Sequence, residues 1–165
     1  MGRTIVLLDL YWTRDKDPRV PLGHASLLSS LRAVPGVSVT SIVVPVNAAS
    51  VEPDALADRV LTAAAGPPDA VDIAIGAYVW GEELVRELLA LLRRRGFAGR
   101  IILGGPQISY AEPGLEALYP EADAFVRGYG EEALAALARA SGRPPITGVH
   151  YTQQAEAYGP DFHRR

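Results

Sequence analysis

The stretch AVDIAIGAYVWGEELVRELLALLRRRGFAGRIILGG, residues 70–105, decides how the chain folds. Its first segment, Ala70 to Tyr78, is apolar nearly throughout, and Arg100 to Leu103 is a second short apolar run that ends in Gly104 and Gly105. Continuous apolar runs of this length suit parallel strands covered on both faces. Between them, Glu82 to Arg95 repeats at helical spacing, with Leu84, Val85, Leu88, Leu89, Leu91 and Leu92 on one stripe. Its acids come first, its bases last, and Gly96 follows as the stop. Strand, amphipathic helix and strand in that order predict a right-handed crossover between parallel neighbours.

The same alternation extends outward. Thr4 to Leu10 is an apolar run with β-branched members, and Ala122 to Arg127 is another short strand, ending at Gly128. Val37 to Val46 alternates early and carries Pro45, so it reads as an edge strand. Helices are expected at Leu22 to Val34, with Leu27, Leu28, Leu31 and Val34 on one face, and at Pro53 to Ala65, with Leu56, Val60 and Leu61. Pro53 stands in the first turn, where its missing N–H costs nothing. A short helix is expected at Pro113 to Tyr119 and an alanine-rich one at Glu131 to Ser141. Five βα units in succession predict an α/β fold: a flavodoxin-like (Rossmann-like) open parallel sheet, strand order 2-1-3-4-5, with helices on both faces. Pro144 to Tyr151 is a candidate small sixth strand. Residues 152–165 lack periodicity and read as a C-terminal tail or linker after a domain of residues 1–151.

Composition narrows the class. A chain of 165 residues, 48% hydrophobic and 21% charged, suggests one domain with enough core to fold without a disulfide or metal. A net charge of −3 gives no reason to expect a nucleic-acid partner. The basic cluster Arg93-Arg94-Arg95 reads as a solvated helix end that suits the dipole. The absence of cysteine excludes a thiolate nucleophile, a zinc ribbon and an iron–sulfur cluster ligated by this chain alone. It also fits a cytoplasmic protein. The apolar run from Thr4 to Leu10 is too short for a secretion signal or a membrane span, so no membrane association is expected.

In open parallel sheets, ligands sit beyond the carboxyl ends of the strands, at the switch point between the first and third. The loop Tyr11 to Pro21 is long for a βα connection. The others are Ala77 to Gly81, Gly104 to Glu112 and Gly128 to Glu131. Glycine lets a backbone approach a bulky planar ligand. A plain turn explains any one of these glycines, but the same bias at the ends of strands 3, 4 and 5 points to a ligand site. A phosphate loop GxxxxGK[ST] is absent. Gly128 to Ala133 fits GxGxxA but follows the fifth strand and lacks a ribose-binding acid at the proper distance. Gly76 and Ala77 stand where a receiver domain needs its phosphoacceptor, and no GxSxG elbow occurs. His24 opens the first helix near the ligand face. As one unpartnered histidine it reads as polar and half-exposed, with an acid/base role as the sharper alternative. His150 falls on the last candidate strand and His163 in the tail. No two histidines have metal-ligand spacing, so no metal site is expected.

PLGHASLLSSLR (residues 21–32), ILGGPQIS (102–109) and FVRGYGEEAL (125–134) resemble the N-terminal cobalamin-binding domain of cobalamin-dependent radical SAM enzymes. In that family these segments are a PLGL-type helix entry, a GGPxxT-type loop and an RGEGE-type loop. The resemblance covers residues 4–151. It implies cobalamin as cofactor, laid across the carboxyl edge of the sheet. It also implies that Gly104, Gly105, Pro106, Gln107 and Ser109, with Gly128, Tyr129, Gly130 and Glu131, line the nucleotide tail and corrin rim. Tyr78, Val79 and Trp80 would face the corrin or its lower axial side. A radical SAM catalytic subunit or domain, using S-adenosyl-L-methionine for methyl transfer or radical chemistry, would be the partner. Three departures stand out. The DxHxxG motif that supplies an axial histidine in methionine-synthase-like domains is missing, which leaves base-off binding without a histidine ligand. Tyr129 replaces the first glutamate of the last loop. No CxxxCxxC is present. Two alternatives stay open. One is a small biosynthetic enzyme that reuses the pocket for a small substrate, with catalytic candidates His24, Asp9, Asp15 and Glu131 and further polar groups Arg14 and Gln107. The other is an interaction subunit that binds no ligand.

Overall fold

Strand β1 (Arg3–Tyr11) lies between β2 (Val37–Pro45) and β3 (Val71–Gly76), parallel to both, in a computed structural model that describes residues 2–17 and 20–152. β4 (Arg100–Gly104) and β5 (Ala124–Val126) continue the parallel sheet beyond β3. A sixth strand, β6 (Val149–Tyr151), closes it antiparallel to β5, giving the order β2-β1-β3-β4-β5-β6. The expected five-strand order is present. The sixth strand runs backward because residues 140–148 lead from the end of α6 (Gly130–Arg139) at the amino side of the sheet, where the Ala140 carbonyl accepts from Arg3, back to the carboxyl side, where the Gly148 carbonyl accepts the Arg127 N–H. β2 with its Pro45 is at the opposite edge, where a missing backbone donor is tolerated. The tail reading, with His163, falls from residue 153 onward outside the described residues.

Helices α1 (Leu22–Arg32) and α6 cover one face; α2 (Pro53–Ala63) and α3 (Glu82–Arg94) cover the other. The first face buries Ile5, Leu7, Leu31, Ala74, Ile102, Leu134 and Leu137. The second buries Val6, Leu8, Ile73, Val85, Leu88, Leu89 and Leu92. Both sides of β1 are therefore covered, which is why its sequence reads as an unbroken apolar run. Two single turns, α4 (Pro106–Ser109) and α5 (Leu115–Leu118), connect β4 to β5. The segment after Gly104 is thus partly helical, and the helix expected from Pro113 starts only after Gly114, which adopts φ +114°. Among the described residues no helix is long and apolar enough to cross a membrane.

The amino ends of the strands are pinned by charge. Asp72 is fully buried and accepts from Arg3 Nη1 at 2.8 Å and Arg100 Nη2 at 2.7 Å, so one carboxylate ties β1, β3 and β4 together. Arg100 also donates to the Leu137 carbonyl at 2.7 Å, which fastens α6. Arg93 is not the solvated helix end that its cluster suggests. It donates to the carbonyls of Phe97, Gly99 and Glu121 and to Asp123 Oδ2, latching α3 to the turns on either side of β4. Arg95 pairs with Asp54 and Asp58 of α2.

Candidate functional site

At the carboxyl end of the sheet, the strand register removes a row of side chains. Asp9 is level with Gly76 of β3, and Gly76 is level with Gly104 of β4. One step below, Leu7, Ala74 and Ile102 are level with one another on the same face. Two neighbouring glycines therefore leave a gap above an apolar floor, directly beside Asp9. α1 and α6 roof this gap with Gly23, His24, Leu27, Gly130, Glu131 and Leu134. The result is a cleft of about 200 Å³ between the sheet and the α1/α6 layer, open at the loop end. An added Cβ on Gly104 would meet Val126 only at ordinary contact distance, 3.6 Å, so the backbone here does not itself demand glycine.

The cleft is mostly apolar, with its polar side chains gathered around Asp9 and at Glu131. Asp9 is 3% exposed, and its Oδ1 has no hydrogen-bond partner among the described residues. Burial pushes its pKa up to about 6, partly offset by the Tyr78 hydroxyl. Burial and the neighbouring Asp9 push Tyr78 up to about 12, so the phenol stays protonated. Asp9 Oδ2 lies 3.9 Å from Nδ1 of His24. His24 is 2% exposed rather than half-exposed, because it begins the buried stripe of α1 and faces β2, where its Nε2 lies 2.7 Å from Ser41 Oγ. Desolvation lowers the pKa of His24, which favours the neutral imidazole. Glu131 Oε1 accepts from Ser26 Oγ at 2.8 Å, joining the first turn of α6 to α1 across the roof.

The sequence-derived candidates separate into two groups. Tyr78, Gly104, Gly105, Gly128, Tyr129, Gly130 and Glu131 line the cleft, together with Asp9 and His24. Val79 and Trp80 do not. The single 3-10 turn that follows Tyr78 swings them toward the α2/α3 side, where they border a shallow groove with Glu82, Glu83 and Glu87. Trp80 stacks on Tyr78 at 4.8 Å and donates its indole N–H to the Leu10 carbonyl at 3.0 Å. Pro106, Gln107 and Ser109 form the α4 turn and support the site from outside. Gln107 donates to Glu82 at 3.3 Å, and Ser109 Oγ accepts the Gly128 N–H at 3.0 Å, joining the loops after β4 and β5. Arg127, buried beneath, donates to the Ala111 carbonyl at 2.7 Å. Arg14 and Asp15 are exposed in the loop after β1 and do not border the cleft. Gly105 is glycine for a reason internal to the fold. It adopts φ +94°, and a Cβ would lie 2.8 Å from the Ala77 carbonyl oxygen. Gly23, Leu27, Ser26, Ser41 and Leu134 belong to the site but escaped the sequence reading. The spacing His24, Leu27, Leu28, Leu31 is the signal that could have placed the first of these helix residues inward.

Around the mouth stand exposed apolar side chains on the segments that leave β1, β3, β4 and β5 or open α1. Tyr129 is 82% exposed and Tyr110 81%, with Trp12, Leu22 and Val79 also outward. Among the described residues, no three His, Cys, Asp or Glu side chains gather as a metal site.

Comparison with known proteins places this geometry. The sequence matches the family described as "B12 binding domain" over residues 16–138. Comparison with curated proteins gives no match. In fold the chain is similar to the cobalamin-dependent S-adenosylmethionine radical enzyme OxsB, in a structure with aqua-cobalamin bound, at 20% identity and a TM-score of 0.65. That likeness covers 84% of this chain but only 18% of OxsB, so the chain spans about a fifth of that enzyme. With the family match running through most of its length, from the loop after β1 to α6, the chain belongs to the B12-binding domain family, whose cofactor is cobalamin.

Proposed function

We propose that this domain holds cobalamin with its nucleotide tail in the cleft and its corrin ring on the apolar collar, and presents it to a radical SAM subunit or domain. The observation that carries this reading is the in-register row Asp9, Gly76 and Gly104, which opens a slot between the sheet and α1/α6. The size of the slot suits a flat heteroaromatic base and is too small for a macrocycle, whereas Leu22, Tyr110 and Tyr129 offer a broad apolar surface outside it. An exposed apolar collar of this kind marks a surface that is covered in use. The fit extends to polarity, because a mostly apolar cleft with one unsatisfied buried oxygen matches a ring that carries one polar edge.

Cobalamin, when bound, supplies methyl-transfer or radical chemistry at its cobalt. The chain's own residues bind and orient. Gly104 and Gly128 make room at the mouth, and Leu27 and Leu134 pack on the roof. The Glu131–Ser26 hydrogen bond holds α1 and α6 at a fixed separation. His24 is buried and engaged by Ser41, so the reading assigns it no contact with cobalt. Methyl transfer or radical generation is assigned to the partner, in the cytoplasm, the compartment that a chain without cysteine supports.

Incubation with hydroxocobalamin followed by desalting tests the reading. Visible corrinoid absorption should elute with the protein at near-equimolar ratio, and failure to retain it at micromolar protein would defeat the proposal. Co-purification with a cysteine-bearing radical SAM chain would support the partner assignment.

A further inference from the structure

We infer that Asp9 is a base-selecting residue, whose Oδ1 hydrogen-bonds a ring nitrogen of the heteroaromatic base that ends the cofactor's nucleotide tail. The inference rests on the cobalamin reading and deepens it. Asp9 occupies a position that the alternation of β1 assigns to the core, two residues after Leu7 on the same face. A leucine there would complete the apolar floor. A carboxyl group instead puts a buried polar atom beside two glycines, at the wall of the cleft. A buried hydrogen-bonding atom without a partner destabilises the fold, so its presence calls for a guest that satisfies it.

The surroundings define what that guest must offer. Oδ2 is on the side of His24, whose far nitrogen is fixed by Ser41. The Tyr78 hydroxyl contacts the same carboxyl and its ring closes over Gly76. Oδ1 is left without a partner in a cleft whose sheet side is lined by Ala74, Ile102 and Gly104, which offer a flat apolar surface. A planar aromatic ring with a nitrogen at its edge meets both demands. With its proton the carboxyl donates to a bare ring nitrogen, and without it the carboxylate accepts from a protonated one.

Two corrinoids separate this contact from the collar. Hydroxocobalamin carries the nucleotide base, whereas cobinamide has the same corrin without it. Wild-type protein should bind cobalamin more tightly than cobinamide. Asp9→Leu should weaken cobalamin about ten- to a hundredfold, the value of one hydrogen bond to a charged group, and leave cobinamide unchanged. Asp9→Asn, which still has a donor, should recover part of the loss. The absorption change that marks release of the base from cobalt gives a second readout, expected with wild type and lost with Asp9→Leu. Equal weakening of both corrinoids, or of neither, would overturn the inference while leaving the cofactor reading intact. If wild type binds neither corrinoid, the cofactor reading falls and the inference falls with it. Thermal melting of each variant checks that it is folded.

Discussion

Replacing Asp9 with asparagine should stabilise the ligand-free domain at neutral pH and do little to it near pH 4. Burial moves the carboxyl pKa from 3.8 to about 6, so between those values the folded chain holds a proton that the unfolded chain has released. Stability contributed by that proton is full below pH 3.8 and is lost as pH rises through about 6. Above pH 6 the charged group costs the folded state about 3 kcal/mol. Asparagine keeps the shape but cannot ionise, and so it escapes this penalty. For a domain of this size the gain corresponds to a melting temperature higher by roughly 6–12 °C at pH 7.5. Urea unfolding followed by circular dichroism at pH 4, 5, 6 and 7.5 gives the difference between the two proteins at each pH. His24, whose lowered pKa makes the fold less stable in acid, is only 3.9 Å from Asp9, so the same pair is also compared in a His24→Gln background, where the imidazole no longer contributes. A difference that stays constant across the range, or a wild type that is the more stable at pH 7.5, would refute the argument that burial of this carboxyl is what the domain pays.

Asp72→Asn should lower stability by about 3–5 kcal/mol, because it leaves Arg3 and Arg100 without their shared buried anion; urea unfolding reads it. Gly104→Leu should fold normally yet fail to retain cobalamin on desalting, since its new side chain enters the cleft and meets no backbone closely. Gly105→Ala should instead lose about 1–3 kcal/mol with or without ligand, because its Cβ collides with the Ala77 peptide at a left-handed backbone position; differential scanning calorimetry distinguishes the two. Tyr129→Ala should weaken cobalamin and cobinamide alike in equilibrium dialysis and leave the melting temperature unchanged, since that exposed side chain stands at the rim of the cleft, on the collar.

The sheet was legible because burial on both faces writes itself as continuous apolar runs, and Pro45 marked the β2 edge. The antiparallel β6 was harder to read. VHY is too short to show a period, and its direction is set by residues 140–148, which carry the chain back to the carboxyl side before the strand begins. The glycines of the cleft were visible at Gly104 and Gly128. Their alignment was not, because the row Asp9, Gly76 and Gly104 exists only once three strands are in register. Asp9 therefore looked like one polar candidate among several. His24 was read as half-exposed because a histidine in a first helical turn is usually solvated, whereas here the apolar stripe of α1 starts one turn earlier than its leucines suggest. Val79 and Trp80, which the resemblance sets against the corrin, follow a tight turn that carries them out of the cleft toward the α2/α3 side, a change of direction that no sequence period signals.

The chain's only two tryptophans, Trp12 and Trp80, both belong to segments leaving the cleft end of the sheet. Trp80 is anchored to Leu10 and rests on Tyr78, whose ring closes over Gly76 at the lip. Indole emission from this chain is therefore a local optical gauge and is blind to the Asp72 and Arg93 clamps at the opposite pole. A coloured guest at the lip would dim that emission, whereas loosening of the distant pole alone would leave it nearly constant. Titration of unlabelled protein can thus tell occupancy apart from loosening of the distant pole in a single cuvette.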